Sequence, residues 1–190
     1  RGDRTNEQVL FRKREDTLLG DIVNSGVTYL SGAGPTQPSI KSSLYTSFRQ
    51  GNSARPAVVY VGANDGMLHA FNANTGAELF GFIPSWLGPK LSALSDPTFA
   101  TSHQTYVDAP IAVGEAQVAS TNSASDWKTV LVAGTGGGGS GVFALDVSDP
   151  AAFDASKVMW EFKRTDDTDI GQVIGQPRIM KFKTSGSATT

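Results

Sequence analysis

The sequence predicts an all-β fold, a partial β-propeller with a short charged arm at its N-terminus. Two observations support this prediction: a unit of three strands and two turns occurs twice, and a similar short segment precedes each copy. Leu68–Ala73 of the first copy aligns residue by residue with Val142–Val147 of the second. Repeats of this kind are typical of radial arrays of four-stranded sheets. The 21 glycines also argue against a helical bundle, because each glycine inside a helix costs about 1 kcal/mol.

The first copy contains three strand-forming runs, Ala57–Gly62, Met67–Asn72 and Glu78–Pro84. Asn64–Gly66 predicts a tight turn between the first two runs, and Asn74–Gly76 predicts another before the third. Glycine and asparagine suit these turns because they tolerate the positive φ that short hairpin loops require. The first copy is therefore a three-stranded meander.

The second copy repeats this arrangement with Lys128–Ala133, Val142–Val147 and Val158–Phe162 as its strands. Gly134–Gly141 is the first connection, and Ser148–Pro150 begins the second. Two similar hairpins also occur in antiparallel sandwiches, which remain the alternative fold. The recurrence of the segment before each meander favours the propeller.

The preceding segments are Ser25–Thr28 and Ala109–Ala112, and Gln176–Ile179 begins a third copy. A single blade cannot bury both of its faces, and a closed ring needs four or more blades. We therefore expect about two blades and the start of a third, with the remaining blades on a continuation past Thr190.

Two domains are predicted, a charged arm over residues 1–20 and the incomplete propeller over residues 21–190. Within the propeller, Ile22–Leu30 is predicted to form a strand or strand pair and Ser31–Arg55 to be mainly loop. Trp86–Tyr106 is predicted to be an insertion between the two blades.

Composition excludes several classes of function. The net charge is −2, so no basic field attracts nucleic acid or an anionic membrane. The absence of cysteine excludes disulfides, zinc-thiolate sites, iron–sulfur clusters and cysteine nucleophiles. No apolar run approaches the roughly 18 residues of a membrane span.

Four motifs have a possible chemical role, and each has a plainer interpretation. Gly134–Gly139 matches G-x-G-x-x-G, but a strand follows it where nucleotide binding needs a helix, so we predict a flexible hairpin tip. No second histidine or carboxylate stands at metal spacing from His69, which favours a hydrogen-bonded structural histidine. His103 lies in a loop with no evident partner. Asp166–Asp169 lacks the alternating pattern of a calcium loop and is predicted to be a solvated turn.

Arg1, Gly2 and Asp3 form the tripeptide that integrins recognise when it projects from an exposed turn. A salt-bridged arm is the plainer interpretation of these residues. The sequence assigns no catalytic, cofactor-binding or metal-ligating residue.

Five stretches, in this order and at this spacing, resemble the C-terminal β-propeller of the PilC/PilY family of type IV pilus tip-associated adhesins and biogenesis factors. They are Arg1–Glu7, Leu18–Ser25, Val59–Ala73, Tyr106–Pro110 and Phe143–Pro150. The resemblance covers nearly the whole chain.

The resemblance implies a bacterial envelope or cell-surface protein that supports pilus assembly, counteracts retraction, and takes part in cell adhesion and twitching motility. It implies action at the pilus tip with minor pilins, and passage through the periplasm or outer membrane during assembly. Family members commonly carry a calcium loop of the form D-x-[DN]-x-D-x-x-x-D. That pattern is absent from residues 1–190 and is expected past Thr190, so no cofactor is assigned within the chain.

Three functions follow from these observations. The first is a non-enzymatic module of a pilus biogenesis factor and adhesin, in which Ser31–Arg55, Trp86–Tyr106 and Gly134–Gly141 present loops to a pilin or a host receptor. The second is part of a quinoprotein dehydrogenase, although Phe80 stands where the docking motif of those enzymes ends in tryptophan. The third is an assembly scaffold of the envelope.

Overall fold

The protein forms two four-stranded antiparallel sheets in a computed structural model that describes residues 4–14, 17–32, 34 and 40–180. The strands of the first sheet are β1 (Thr28–Leu30), β2 (Val58–Gly62), β3 (Leu68–Asn72) and β4 (Glu78–Phe82). Those of the second sheet are β5 (Ile111–Gln117), β6 (Trp127–Gly134), β7 (Gly141–Asp146) and β8 (Val158–Lys163). Strand order follows chain order in both sheets, as in a propeller blade. The predicted all-β class and partial propeller are confirmed.

Pairing registers show that the two sheets are copies of one another. Ala70 pairs with β2 and β4 in the first sheet, and Ala144 pairs with β6 and β8 in the second. A register shift follows immediately after each of these alanines. The sequence alignment of the two hairpins is therefore also their structural alignment.

One face of the first sheet packs against the second sheet and forms the main core. The ring of Phe80 stacks on that of Phe153 with centroids 3.8 Å apart, and the ring of Phe82 tilts against that of Phe143 at 4.9 Å. Other buried residues of this core are Val58, Tyr60, Leu68, Leu131 and Leu145. The sheets thus stack as neighbouring blades.

The corresponding face of the second sheet is open in the described residues. On β8, Trp160 pairs with Ala144 as Phe80 pairs with Ala70, and Phe162 pairs with Val142 as Phe82 pairs with Leu68. Trp160 and Phe162 therefore hold the positions of Phe80 and Phe82. Trp160 is 45% exposed and Phe162 42% exposed. The second sheet therefore presents the kind of surface that the first sheet has covered.

The segments before the blades pack in a repeated way. A Cβ added to Gly62, the last residue of β2, would lie 2.5 Å from the carbonyl oxygen of Val107. A Cβ added to Gly134, the last residue of β6, would lie 2.7 Å from the carbonyl oxygen of Val173. Further along, Gln176 Nε2 donates to the carbonyl oxygen of Ile111 at 3.5 Å. The segment that begins the predicted third copy thus packs on the end of β6 in the same way that the segment before the second blade packs on the end of β2.

The prediction that Ser31–Arg55 is mainly loop missed a helix. Helix α1 (Ser43–Gly51) lies within it, and the side chain of Ser42 caps the helix by accepting from the Tyr45 amide. Tyr45 and Phe48, three residues apart on one helix face, pack on Trp127 in a second small core. A partner so distant in sequence gives a nine-residue helix the burial that its local sequence does not reveal.

The strand predicted over Ile22–Leu30 is shorter than expected, because only Thr28–Leu30 pairs with β2. Asn24 and Ser25 instead use their polar groups to contact Asp108 and Gly62. Because their polar groups bind these residues, Asn24 and Ser25 do not pair with β2.

The insertion Trp86–Tyr106 does lie between the blades, but it is not a free loop. It forms 3₁₀ segments at Ser85–Ser95 and Phe99–Thr101. Leu87, Phe99 and Tyr106 are buried in the main core. The insertion is therefore part of the packing between the two sheets.

The glycine-rich connection is not a free hairpin tip either. A Cβ at Gly138 would lie 1.7 Å from the carbonyl oxygen of Tyr106, so only glycine allows this approach. Trp86 Nε1 donates to Thr135 Oγ1 at 3.2 Å, and Lys90 Nζ donates to the Gly138 carbonyl at 3.1 Å. The prediction of a flexible tip is wrong because backbone contacts hold the loop in place.

The N-terminal arm is irregular over the residues that are described. Its bends are closed by backbone hydrogen bonds such as Glu7 N to Arg4 O at 3.1 Å. The arm joins the insertion where Arg12 N donates to Ser95 O at 2.9 Å. None of the helices in the described parts of the chain is both long and apolar enough to cross a membrane.

Candidate functional site

The candidate site lies at the β2–β3 turn, where the arm and the segment before the second blade both meet the first blade. We name it the junction and define it by five polar residues at its centre. They are Asp21, Asn64, Asp65, His69 and Asp108.

Asn64 of the turn holds the other two segments together. Its Nδ2 donates to Asp21 Oδ2 at 2.8 Å, and its Oδ1 accepts from the Tyr106 amide at 2.8 Å. Its own amide donates to the Asp21 carbonyl at 3.0 Å. Only 3% of Asn64 is exposed, so these bonds are largely shielded from water. One side chain therefore fixes the arm and both blades relative to each other.

Asp21 links the arm to the insertion as well. His103 Nε2 lies 2.9 Å from Asp21 Oδ1, which gives His103 the partner that the sequence did not reveal. Burial acts to raise the pKa of Asp21, but hydrogen bonds from Asn64 and His103 outweigh it, and the pKa lies below its ordinary value. The carboxylate therefore stays ionised and keeps accepting both bonds in mildly acidic solution.

Asp108 makes a matching contact on the other side of the junction. The Asn24 amide and Asn24 Nδ2 each donate to its carboxylate at 2.7 Å. Nearby, Ser25 Oγ accepts from the Gly62 amide at 2.7 Å. The segment that follows the arm is thus bonded to the end of β2 and to the start of the second blade.

His69 is fully buried between two carboxylates. Its Nδ1 lies 2.8 Å from Glu78 Oε1, and its Nε2 lies 3.0 Å and 3.1 Å from the two oxygens of Asp65. The ring also stacks on Phe71 with centroids 5.6 Å apart. A neutral imidazole has a single N–H, so only the doubly protonated ring can donate to both acids.

This arrangement agrees with the interpretation of His69 as a hydrogen-bonded structural residue. Both ring nitrogens face protein carboxylates, so neither is directed at a substrate. Asp65 in turn accepts from the Gly20 and Met67 amides at 3.1 Å and 3.2 Å. The buried ring therefore holds together the turn, β4 and the arm.

Reasoning from sequence did not find the partners of His69. Asp65 stands four residues before it across the turn, and Glu78 follows on the next strand. The hairpin register contained the signal, because His69 pairs with Gly81 and Phe71 pairs with Glu78 across β3 and β4. Alternate residues of a strand share a face, which brings Glu78 beside His69.

A cavity of about 390 Å³ opens beside the junction. Asp65 and Met67 belong to its wall, together with residues of the arm and of the insertion. Its apolar lining consists of Phe11, Leu18, Met67, Leu91 and Leu94. The cavity is a concave feature of the junction that could take a ligand.

The carboxylate cluster Asp166–Asp169 that the sequence singled out forms a turn after β8. Asp166 accepts from the Lys163 amide at 3.0 Å, as in an ordinary turn. Within the described ranges, no three acidic, histidine or cysteine residues are grouped so that they could hold a metal ion. Arg1, Gly2 and Asp3 lie outside the described residues, and the calcium loop expected past Thr190 stays a prediction.

Comparison with known proteins gives consistent matches. The family model of the PilY1 β-propeller domain matches residues 19–188. The type IV pilus biogenesis factor PilY1 of Pseudomonas aeruginosa strain UCBPP-PA14 is 39% identical over 182 residues, which are 90% of this chain and 14% of that protein. A PilY1 homolog of Xylella fastidiosa is 37% identical over 185 residues, which are 94% of this chain and 14% of that protein.

A solved structure agrees with these matches. The crystal structure of the Pseudomonas aeruginosa PilY1 C-terminal domain is 37% identical and superposes with a TM-score of 0.53. The superposition covers 70% of this chain and 24% of that one. The chain thus spans about one seventh of the length of the curated relatives it matches.

Proposed function

Because this chain belongs to the PilY1 β-propeller family, we propose that it serves type IV pilus biogenesis as a rigid, non-enzymatic interaction unit. The observation that carries the proposal is the junction. Three of the stretches that resemble the family, Leu18–Ser25, Val59–Ala73 and Tyr106–Pro110, meet there through buried and partly buried hydrogen bonds.

Rigidity is useful for a protein that must transmit or resist force between partners. The arm is bonded to the β2–β3 turn of the first blade, and the insertion is bonded to the glycine connection of the second. Such a unit presents fixed surfaces, which lowers the entropy lost when a partner binds. The surfaces offered are the arm, the junction and the open sheet faces.

A non-enzymatic role is supported by the state of the titratable groups at the junction. His69 is enclosed by two acids, and Asp21 and Asp108 each accept two hydrogen bonds from protein groups. Phe80, which stands near the tryptophan position of the quinoprotein docking motif, is buried between blades against Phe153. Each of these groups is engaged by other protein groups at the junction.

The proposed setting is the bacterial envelope or cell surface, with minor pilins at the pilus tip as partners. The remaining blades of a longer parent protein are further partners, because they would cover Trp160 and Phe162. Adhesion to a host receptor is a separate part of the proposal that needs its own test.

Piliation of the native host tests the biogenesis role. A strain lacking the gene should lose most of the pili that can be sheared from its surface, and the whole wild-type protein should restore them. Asn64→Ala should restore far fewer pili, because it removes the bonds at the junction. Asn74→Ala, in an exposed turn, is the matched control and should restore them fully. Unchanged piliation of the deletion strain would contradict the proposal.

Adhesion can be separated from biogenesis in a strain that cannot retract its pili. Attachment to host cells is compared in that background between strains with and without the protein that carry equal numbers of pili. A tip adhesin predicts reduced attachment at an equal number of pili. Equal attachment would leave biogenesis as the whole role.

The enzymatic alternative is tested on the purified chain. Pyrroloquinoline quinone and calcium are added, and dye-linked alcohol oxidation is measured. The proposal predicts a rate equal to that of the buffer control. Turnover above that rate would overturn the non-enzymatic part of the proposal.

A further inference from the structure

The cavity beside the junction has an apolar floor and a charged rim. Leu91 and Leu94 belong to the insertion, and Met67 is the first residue after the β2–β3 turn. Its volume of about 390 Å³ falls within the usual range of small ligand pockets. A cavity of this size and lining suits a large apolar side chain.

Both acidic residues in the cavity wall already bind other protein groups. Glu7 is paired with Arg14 through an ion pair across the arm. Asp65 accepts hydrogen bonds from His69, Gly20 and Met67. Neither carboxylate is therefore directed at a cationic ligand.

Arg12 differs from these residues. Its guanidinium carbon lies 4.2 Å from the centroid of the Phe99 ring, and its backbone amide donates to Ser95. Its Nε is buried without a hydrogen-bond partner, and it makes no ion pair with any described residue. An unsatisfied buried donor of this kind is costly, and a carboxylate is the acceptor that best compensates it.

The surroundings of the cavity favour the same ligand. Residues 4–14 carry Arg4, Arg12, Lys13 and Arg14 against the single acid Glu7. The neighbouring side chains of Val9 and Leu10 are 79% and 65% exposed. The part of the arm that lines the cavity is therefore both basic and apolar over residues 4–14, and Asp3, Glu15 and Asp16 flank it in the sequence.

We propose that this cavity binds a peptide segment of a partner protein that places one large apolar side chain next to a carboxylate. The apolar side chain fills the space between Leu91, Leu94 and Met67, and the carboxylate meets Arg12. An apolar anchor beside an arginine is a common arrangement at the centre of protein interfaces. The inference rests on the proposed function only for the identity of that partner as a component of the pilus.

Titration of the purified 190-residue chain with short peptides tests the inference. The probe is a blocked tetrapeptide containing phenylalanine followed by glutamate. Matched peptides carry lysine in place of glutamate, or alanine in place of phenylalanine. We expect the first peptide to shift the amide resonances of Arg12, Leu91 and Ser95, and the other two to bind at least tenfold more weakly. Equal binding of all three, or of none, would overturn the inference.

Two pairs of variants locate the binding. Arg12→Gln should weaken binding about tenfold, because a charge-assisted hydrogen bond is lost. Lys13→Gln removes the same charge from an exposed neighbour and should bind as the wild type does. Leu94→Trp fills the cavity and should abolish binding, whereas Ser92→Trp places the same ring on the exposed side of the insertion. Equal affinity within either pair would contradict the assigned site.

The thermal unfolding of each variant is measured alongside the titration. If Leu94→Trp does not fold, the Arg12 and Lys13 pair and the three peptides still decide the matter. A chain that supports piliation but binds no peptide would defeat this inference and leave the proposed function intact.

Discussion

Phe80 and Trp160 occupy the same position in the two blades, yet 9% of Phe80 and 45% of Trp160 are exposed. Both are on the outermost strand of their sheet, and both face in the direction of the following blade. Phe80 is covered because the second blade, through Phe153, packs on it. Among the described residues, the difference in exposure therefore follows from the neighbour that covers Phe80 rather than from a difference between the blades.

Truncation of these two residues should have unequal effects. Phe80→Ala should lower the free energy of unfolding by about 3 kcal/mol, since it opens a cavity in the main core. Trp160→Ala should lower it by about 1 kcal/mol or less, because the side chain is already half in water. Urea unfolding of the 190-residue chain measures both. Equal losses would mean that β4 and β8 do not hold equivalent positions.

The glycine-rich connection should tolerate a side chain at one position and not at its neighbour. Gly138→Ala should destabilise the fold by about 2 kcal/mol, because the new Cβ would collide with the backbone of Tyr106. Gly137→Ala is the control, since its Cβ would find only the side chain of Thr105 at 3.6 Å. Thermal unfolding compares the two. Equal melting temperatures would show that the loop is free, as the sequence had indicated.

Removal of the buried imidazole should expose the repulsion between its two acids. His69→Phe copies the residue at the equivalent position of the second blade, Phe143, but leaves Asp65 and Glu78 close together. We expect a loss of about 2 kcal/mol, less than for a fully buried ion pair because Glu78 is partly exposed.

The control for this substitution neutralises the acids. Combining His69→Phe with Asp65→Asn and Glu78→Gln should recover part of the lost free energy of unfolding. Chemical denaturation at neutral pH measures each variant. No recovery would indicate that lost packing, rather than charge, explains the loss.

Stability should fall in acid partly through Asp146. Burial acts to raise its pKa, but hydrogen bonds from Ser148 and the ion pair with Lys128 outweigh it, so its pKa is lowered from 3.8. A group with a lowered pKa in the folded state stabilises the fold above its unfolded pKa, and that stabilisation disappears as the pH falls through the folded value. Asp146→Asn should thus be less stable than the wild type at about pH 7, and the difference should shrink below about pH 3.

Urea unfolding of wild type and Asp146→Asn at several pH values measures this difference. Lys128→Met removes the ion-pair partner of Asp146. In that background, Asp146→Asn should change the free energy of unfolding by less than it does in the wild type. A gap between wild type and Asp146→Asn that stays constant with pH would contradict the assignment.

The blades could be predicted from sequence because their signals are local. Alternating strand residues flank Asn64–Gly66, and the same pattern returns around Gly134–Gly141, so the repeat is visible without any tertiary information. Helix α1 was missed because its buried face depends on Trp127, more than seventy residues away. Long-range burial, not propensity, determines that segment.

The junction was predictable only in part. The family-like stretches marked which segments matter, but not that Asn64 bonds to both Asp21 and Tyr106. Such contacts depend on how the arm crosses the end of β2, and no sequence spacing encodes that path. His69 could have been placed between its acids only from the hairpin register.

The environment of Trp160 and Phe162 in a longer protein tests the propeller arrangement most directly. Hydroxyl-radical oxidation of both side chains, quantified by mass spectrometry, should be compared in the 190-residue chain and in the whole protein that contains it. Phe80 and Phe82 serve as the covered references in the same samples. We predict that Trp160 and Phe162 become as protected as these references in the whole protein; equal oxidation in both samples would contradict the inference that a further blade packs on this face.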